Sequence, residues 1–341
     1  MKLKYFPYIV ILIFIGYFLI YEFNAKHINR KEVTKEVTKE IIYDETKNYN
    51  YVPYANQGTS LGIVNDKHNE LIEISNFKIE KNEMFNKTLA IVNQNDYPED
   101  YLIIPLINYQ QKHILPGNKK QNKLKITIKP QEIVFIPFSI SNLKNGFHDF
   151  TFLIAQDPNN QDLSKEYRIS TTGSNLMSIR GTINKGSNKN NSFNKFSKVS
   201  TDNTINENNN VQNLNGLLLT KNEKLVPWLN ESVYNNNDKI QFNINIGNTE
   251  KENKTFAVAS FINWDQVSIN ADSDSKVFFG QIDQNSSASI KGEINKMDIK
   301  KNSISNYTTV LIPFPYQEIN PLDPSFSIES SGRVGLDNRE N

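Results

Sequence analysis

The residues in this sequence that could do chemistry are few and scattered. The loop NADSDSK, Asn270–Lys276, sets Asp272 and Asp274 one residue apart, a spacing at which two carboxylates could hold a calcium ion. It lacks the glycine and the closing glutamate of an EF-hand loop, so an ordinary solvated loop is the expectation. The string QNDYPED, Gln94–Asp100, offers Asp96, Glu99 and Asp100, but in a loop that does not correspond to the first. Histidines occur at 27, 68, 113 and 148, too far apart for a helical histidine pair, and His148 beside Asp149 has no nucleophile near it in sequence. Cysteine is absent, which removes disulfides, thiolate nucleophiles and cysteine-based zinc or iron–sulfur sites together. There is no G-x-S-x-G, Walker, G-x-G-x-x-G or H-E-x-x-H stretch. Two carboxylates could still meet across a sheet sandwich, as glycoside hydrolysis requires, without leaving a signature. Small sandwiches rarely house a deep pocket, so the chain reads as a non-enzyme with no cofactor.

Recognition is the better prospect. Trp228 in KLVPWLNES, Tyr234 in the turn that follows, and Phe314 and Tyr316 in IPFPYQEINPLDPSF could form a surface for a protein or carbohydrate partner. Prolines at 313, 315, 321 and 324 disfavour a regular central strand there and favour extended backbone. The competing reading is that these aromatics simply cover the end of a β domain, and it is the stronger of the two. Lys and Arg total 38 against 37 Asp and Glu, a formal charge of +1, so no whole-chain field draws nucleic acid.

Several elements must position these groups. Tyr5–Phe23, YFPYIVILIFIGYFLIYEF, is nearly continuous apolar and aromatic sequence. As a helix it would cover roughly 28 Å, close to a hydrocarbon core. Pro7 falls in its first turn, and Tyr5, Tyr8, Tyr17 and Tyr21 gather towards its ends, where amphipathic rings prefer to sit. A cleaved secretory signal is disfavoured, because the run is long and Phe23 stands where a small residue should precede Ala25. The reading is a signal-anchor, with residues 1–4 cytoplasmic, 5–23 in the bilayer and the bulk of the chain outside. The count of lysine and arginine beyond the span argues against that orientation; the two-lysine leader and the extracellular character of the body argue for it.

KEVTKEVTKE, Lys31–Glu40, stacks like charges at i,i+4 if helical, so residues 24–69 read as a polar stalk rather than a coiled coil. A second polar stretch, residues 184–215, is dominated by Asn, Ser, Lys and Thr and reads as a flexible linker. Between and beyond these lie two segments, 70–183 and 216–335, followed by a tail at 336–341. Both consist of short runs rich in Ile, Val, Phe, Thr and Tyr, such as DYLIIPLINY and EIVFIPFSI, then TFAVASFINW and YTTVLIPF. In LKITIK, Leu124, Ile126 and Ile128 fall on one face.

The segments are also copies. LINYQQ, Leu106–Gln111, and FINWDQ, Phe261–Gln266, stand 155 positions apart. The same shift pairs Leu89 with Ile244, Ile91 with Ile246, Asn93 with Asn248 and Tyr101 with Phe256 without a gap. A shift of 154 pairs Ile128, Ile136 and Ile140 with Ile282, Ile290 and Ile294; one of 158 pairs Leu153 with Leu311 and Ile154 with Ile312; one of 159 pairs YRISTTG, Tyr167–Gly173, with FSIESSG, Phe326–Gly332. Each copy has the length and strand count of an immunoglobulin-like sandwich, and LINYQQ and FINWDQ should end a central strand whose aromatic lies between or at the end of the sheets. The fold class expected is all-β, two tandem immunoglobulin-like β-sandwiches after an N-terminal transmembrane helix.

In the first copy, Pro130 before an apolar strand holding Phe135 and Phe138, followed by Gly146 and His148, resembles the bacterial immunoglobulin-like modules of the cell-adhesion-related, CARDB type. The second copy keeps the strands but has Gln284 and Asn285 near the proline position and no Gly-x-His. The resemblance implies a sandwich in an adhesive or spacing role. Taken together, the sequence points to a single-pass, membrane-anchored, extracytoplasmic binding or scaffold protein of a bacterial cell surface. Its partners would be the bilayer, through residues 5–23, and an unidentified protein or carbohydrate. The alternatives are an accessory structural subunit of a membrane or envelope assembly and, behind it, an accessory module of a carbohydrate-active enzyme.

Overall fold

The computed structural model describes residues 41–45, 58–65, 71–72, 75–116, 121–170, 175–186, 196–198, 214–221, 226–234, 238–270, 274–320 and 323–340. The apolar run 5–23 and the charged repeat 31–40 lie outside the described residues. No helix among the described residues is long and apolar enough to cross a membrane.

Four sheets account for almost all of the structure. The first orders β1 (Ile42–Glu45), β8 (Glu132–Ile140), β4 (Phe85–Asn93) and β2 (Thr59–Val64). The second orders β3 (Asn76–Ile79), β10 (Leu176–Lys185), β9 (Gly146–Gln156), β5 (Glu99–Ile107) and β6 (Gln110–Gln111), with β7 (Leu124–Ile128) also on β5. The third orders β11 (Ser197–Lys198), β17 (Val277–Ile282), β15 (Lys254–Ile262), β19 (Ile304–Pro313), β21 (Val334–Asp337) and β13 (Asn230–Ser232). To it are added β16 (Asp265–Val267) on β15 and β20 (Glu329–Ser330) on β19. The fourth is β12 (Gly216–Thr220), β14 (Lys239–Asn248) and β18 (Ser286–Asn295). Among the described residues the one α-helix is α1, Lys165–Ser170.

Side chains alternate across each strand, and this alternation stacks the sheets. Leu89, Ile91, Val134 and Ile136 of the first sheet meet Tyr101, Ile103, Phe152 and Ile154 of the second in one core. Ile244, Ile246 and Ala288 of the fourth meet Phe256, Val258, Tyr307 and Leu311 of the third in another. The residues between those on the two large sheets form a third core. Leu102, Ile104, Leu106, Leu153 and Ala155 pack against Ala257, Ala259, Phe261, Val310 and Ile312. The molecule is therefore two sandwiches stacked into four layers. β5 and β15 are apolar on both faces because one face fills a sandwich and the other fills the seam.

The duplication extends to hydrogen bonds. Asn93 Nδ2 donates to the carbonyls of Tyr97 and Ile128 while its Oδ1 accepts from Asn95 N–H. Asn248 repeats this with Glu252, Asp283 and Glu250. The turns before β8 and β18 both need a left-handed residue, Gln131 at φ 56° and Asn285 at φ 47°. That turn persists although Pro130 has given way to Gln284.

Some sequence pairings shift. Ile104 lies opposite Leu153 and Ala259 opposite Val310, so at the 155 offset of β5 and β15, Leu153 corresponds to Val310 and Ile154 to Leu311. The pairings of Leu153 with Leu311 and Ile154 with Ile312 were one residue out, enough to exchange a core position for a seam position. Tyr167–Ser170 is helical, whereas Pro324–Phe326 is a 3-10 turn leading to β20, so these segments do not match as copies. β1 and β2 fall inside the expected 24–69 stalk, and β11 inside the expected 184–215 linker. The polar composition of those stretches hides short apolar or edge strands that a neighbouring sheet recruits.

Candidate functional site at the seam

The turn of each copy's hairpin carries two left-handed residues, Asn108 (φ 49°) and Tyr109 (φ 67°), then Asn263 (φ 47°) and Trp264 (φ 66°). That is the backbone of a type I′ turn, which matches the twist of its strands. Asparagine tolerates the conformation; an aromatic at the second position does so only if its ring is well used. Here both rings enter the seam, buried. They pack between the two sandwiches, not within either one.

Beyond each turn stands a glutamine, and the two glutamines bind each other's hairpin. Gln111 N–H donates to Gln266 Oε1 at 2.7 Å and Gln266 N–H donates to Gln111 Oε1 at 2.8 Å. Gln111 Nε2 reaches the Trp264 carbonyl at 3.0 Å and Gln266 Nε2 the Tyr109 carbonyl at 2.8 Å. Every contact has its mirror, as in an isologous two-fold interface.

Two arginines repeat the same logic. Arg180 on β10 donates to the carbonyls of Pro313 (2.6 Å) and Phe314 (3.1 Å) across the seam. Arg333, just before β21, donates to the carbonyls of Gln156 and Asp157 in the other direction. Phe314 and Asp157 both have positive φ, 46° and 44°, so the chain exposes consecutive carbonyls to a guanidinium in each copy. Arg180 also binds Asp149, with Nη2 at 2.6 Å from Oδ2, and both side chains are at most 5 % exposed. Tyr109 Oη donates to Asp149 at 2.7 Å and accepts from Tyr316 N–H at 2.8 Å. Burial, and then the Asp149 charge, hold the Tyr109 phenol well above its ordinary pKa, so it remains a donor. Burial alone would weaken the guanidinium's hold on its proton. Asp149 and Tyr109 reverse that, and the net shift of Arg180 is upward. Arg333 stands over the Trp264 ring, 5.9 Å from its centroid, and bonds the Tyr167 hydroxyl at 2.9 Å.

Beside this lock lies a groove of about 870 Å³ whose walls come from both sandwiches. Its ionisable lining is Lys112, His113, Lys144, His148, Asp274 and Lys276, over a base that includes Phe279 and Tyr316. His148 is not available to a ligand. Asn108 Oδ1 accepts from Asp149 N–H, so Asn108 Nδ2 must donate to His148 Nδ1, which leaves Nε2–H to donate to the Lys144 carbonyl. Burial lowers the His148 pKa, and the ring is neutral in this arrangement. Among the described lining residues three lysines against Asp274 give the groove a positive bias that the whole chain lacks.

The sequence candidates fare differently. Trp228 is a core residue of the second sandwich, stacked on Phe242 at 4.9 Å; of the two readings of this residue, partner surface or cover for a β domain, the structure takes the second. Tyr316 packs edge-on to Tyr109, stacks with Phe279 and lines the groove. Phe314 leans on Phe326. Tyr234 is 44 % exposed and lines a second cavity, about 610 Å³, with Lys296 and Met297 at the far end of the second sandwich. The four aromatics therefore do not converge. Asp272 lies outside the described residues; Asp274 is exposed at the groove rim. Among the described residues no three His, Asp or Glu side chains come together. The seam arginines and glutamines were missed, although one clue was available: a lone arginine within each copy's last apolar run.

The strand pairing defines this protein as a tandem β-sandwich of immunoglobulin-like character. No family model matches the chain, and no curated protein does. Among solved structures it is similar to the CARDB domain of a Pyrococcus furiosus protein in complex with di-metal ions, at 9 % identity over 40 % of this chain and 97 % of that one, TM-score 0.24. It is similar to a chaperone–tip adhesion subunit pre-assembly complex from archaic chaperone–usher pili of Acinetobacter baumannii, at 14 % identity over 82 % and 100 %, TM-score 0.24. Red sea bream transglutaminase matches at 7 % identity over 83 % of this chain and 32 % of its own, TM-score 0.22. At these values the CARDB-type resemblance stays loose, and the fold rests on the pairing itself.

Proposed function

We propose that this chain is a membrane-anchored binding or scaffold protein, non-catalytic, whose two sandwiches act as one unit outside the cytoplasm. Residues 5–23 are the lipid-embedded segment in this reading. The observation that carries it is the groove at the seam, which neither sandwich could build alone and whose net charge is positive. A partner with carboxylate or phosphate groups would suit it, whether protein or carbohydrate.

Protease added to intact cells should remove the body and spare the anchor; a body that survives until the cells are opened would overturn the orientation. Lys144→Glu with Lys276→Glu should cut retention on isolated cell-envelope material by roughly tenfold, since each reversed exposed pair contributes up to about 1 kcal/mol. Unchanged retention would remove the groove from the reading. Replacing residues 5–23 with an unrelated span should leave retention intact. Loss of retention after that exchange would favour the accessory-subunit alternative.

A further inference from the structure

Among the described residues the two copies differ at one sheet edge. In the first sandwich β1 lies antiparallel on the outer edge of β8, pairing Ile42 with Phe135 and Asp44 with Ile133. In the second sandwich the strand equivalent to β8 is β18, and among the described residues no strand pairs with its outer edge, which a single backbone hydrogen bond at Glu293 reaches. The ladder between β14 and β18 runs without a bulge over ten residues. Glu293 N–H points away from β14, to the Ile269 carbonyl. Strand alternation then turns the N–H and C=O of Ser287, Ser289 and Lys291 outward as well. Natural edges are blunted by proline, bulges, brevity or charge. At the position equivalent to Lys291 the first copy has Pro137; β18 has no proline, no bulge, and one lysine among serines.

We infer that the outer edge of β18 pairs, over Ser287 to Lys291, with β18 of a second copy of this chain, antiparallel across a two-fold axis at Ser289. This register sets Ser287 opposite Lys291 of the other copy, so no like charges face each other. It also aligns the even-numbered core residues, Ala288 and Ile290, on one side and the odd-numbered polar ones on the other, so the apolar face runs on across the axis. The occupant is a second copy because the edge is self-complementary in this register. Glu293, which would spoil a longer overlap, is already spoken for by Ile269. The inference does not depend on where the chain resides or on what the groove binds.

The chain has no cysteine, so a single introduced thiol reports the contact. In a hydrogen-bonded antiparallel pair the Cα atoms stand about 5.5 Å apart, within disulfide range. Full-length Ser289→Cys, oxidised in the cells that express it, should run as a dimer on a non-reducing gel, and Gln317→Cys, at an exposed position, should not. Adding Ser287→Pro to Ser289→Cys removes only an outward N–H and leaves the β14 ladder whole. It should reduce the dimer about tenfold, the value of two lost hydrogen bonds. Emission of the two tryptophans, both buried, verifies that this variant is folded. Absence of a dimer with Ser289→Cys, an equal yield from Gln317→Cys, or indifference to Ser287→Pro in folded protein would overturn the inference. So would a crosslinked band of another mass in place of the dimer, which would assign the edge to a different strand.

Discussion

Arg180 and His148 show how much depends on single polar groups at the seam. Arg180→Ala would leave the Asp149 carboxylate buried without its cation and two carbonyls without donors. Breaking a buried ion pair in this way costs about 3–5 kcal/mol. Arg333→Ala removes donors from carbonyls and a phenol and the cation over the Trp264 ring, leaves no buried charge unpaired, and should cost about 1–3 kcal/mol. Urea unfolding in a Trp228→Phe background, where Trp264 alone reports the seam, should rank the two in that order; equal shifts would contradict the assigned roles. His148 makes a pH prediction. Burial lowers its pKa in the folded state from 6.5, and its neighbours offer Nδ1 a donor, with the Lys185 charge adding to the shift. Below pH 6.5 the unfolded chain therefore takes up the proton first. The contribution of this group is complete above that pH and is lost as pH falls through the lower folded value. His148→Gln should flatten the fall in stability between pH 6.5 and 5, and an unchanged slope would place the acid sensitivity elsewhere.

At the scale of elements, the hairpins ending β5 and β15 are where sequence and structure agree best and also part company. The repeat LINYQQ and FINWDQ was visible because these residues do the same work twice, and strand composition made the β class legible. What could not be read was the face. Both sides of DYLIIPLINY are apolar, so periodicity has no polar phase to lock onto, and the seam was indistinguishable from a core. The same loss of phase allowed Leu153 and Ile154 to be matched one residue out. Trp228 could be read as partner surface or as cover for the domain, because KLVPWLNES has no periodicity to assign a face, and the ring stacks inward on Phe242. The reciprocal glutamines make a quantitative test of the element pair. Gln111→Ala and Gln266→Ala each strand partners of the other, so their costs should not add. A double-mutant cycle on unfolding free energies should return a coupling of about 0.5–3 kcal/mol, and additivity within about 0.3 kcal/mol would show that the hairpins do not act together.

For the molecule as a whole, the question is whether two copies of a sandwich form two domains on a tether or one body. The third core decides it physically. Leu102, Ile104 and Leu106 on one side and Phe261, Val310 and Ile312 on the other are all buried against one another. At about 1.5–3 kcal/mol for each side chain removed from water, the six are worth about 9–18 kcal/mol, the same scale as the roughly 4–15 kcal/mol that association of separate halves costs. Hydrogen bonds at the glutamines and arginines then fix the register. Covalent continuity between Lys198 and Leu214 should therefore be dispensable once the body has folded. A protease site inserted there and cleaved in the full-length protein should leave both halves co-migrating on size exclusion at low micromolar concentration. Adding Arg180→Ala and Gln266→Ala should make the cleaved halves separate, because the apolar faces would then lie over an unpaired carboxylate and unfilled amides. Halves that part as soon as the linker is cut, with the lock intact, would mean that the seam follows from the tether and that each sandwich is the true folding unit.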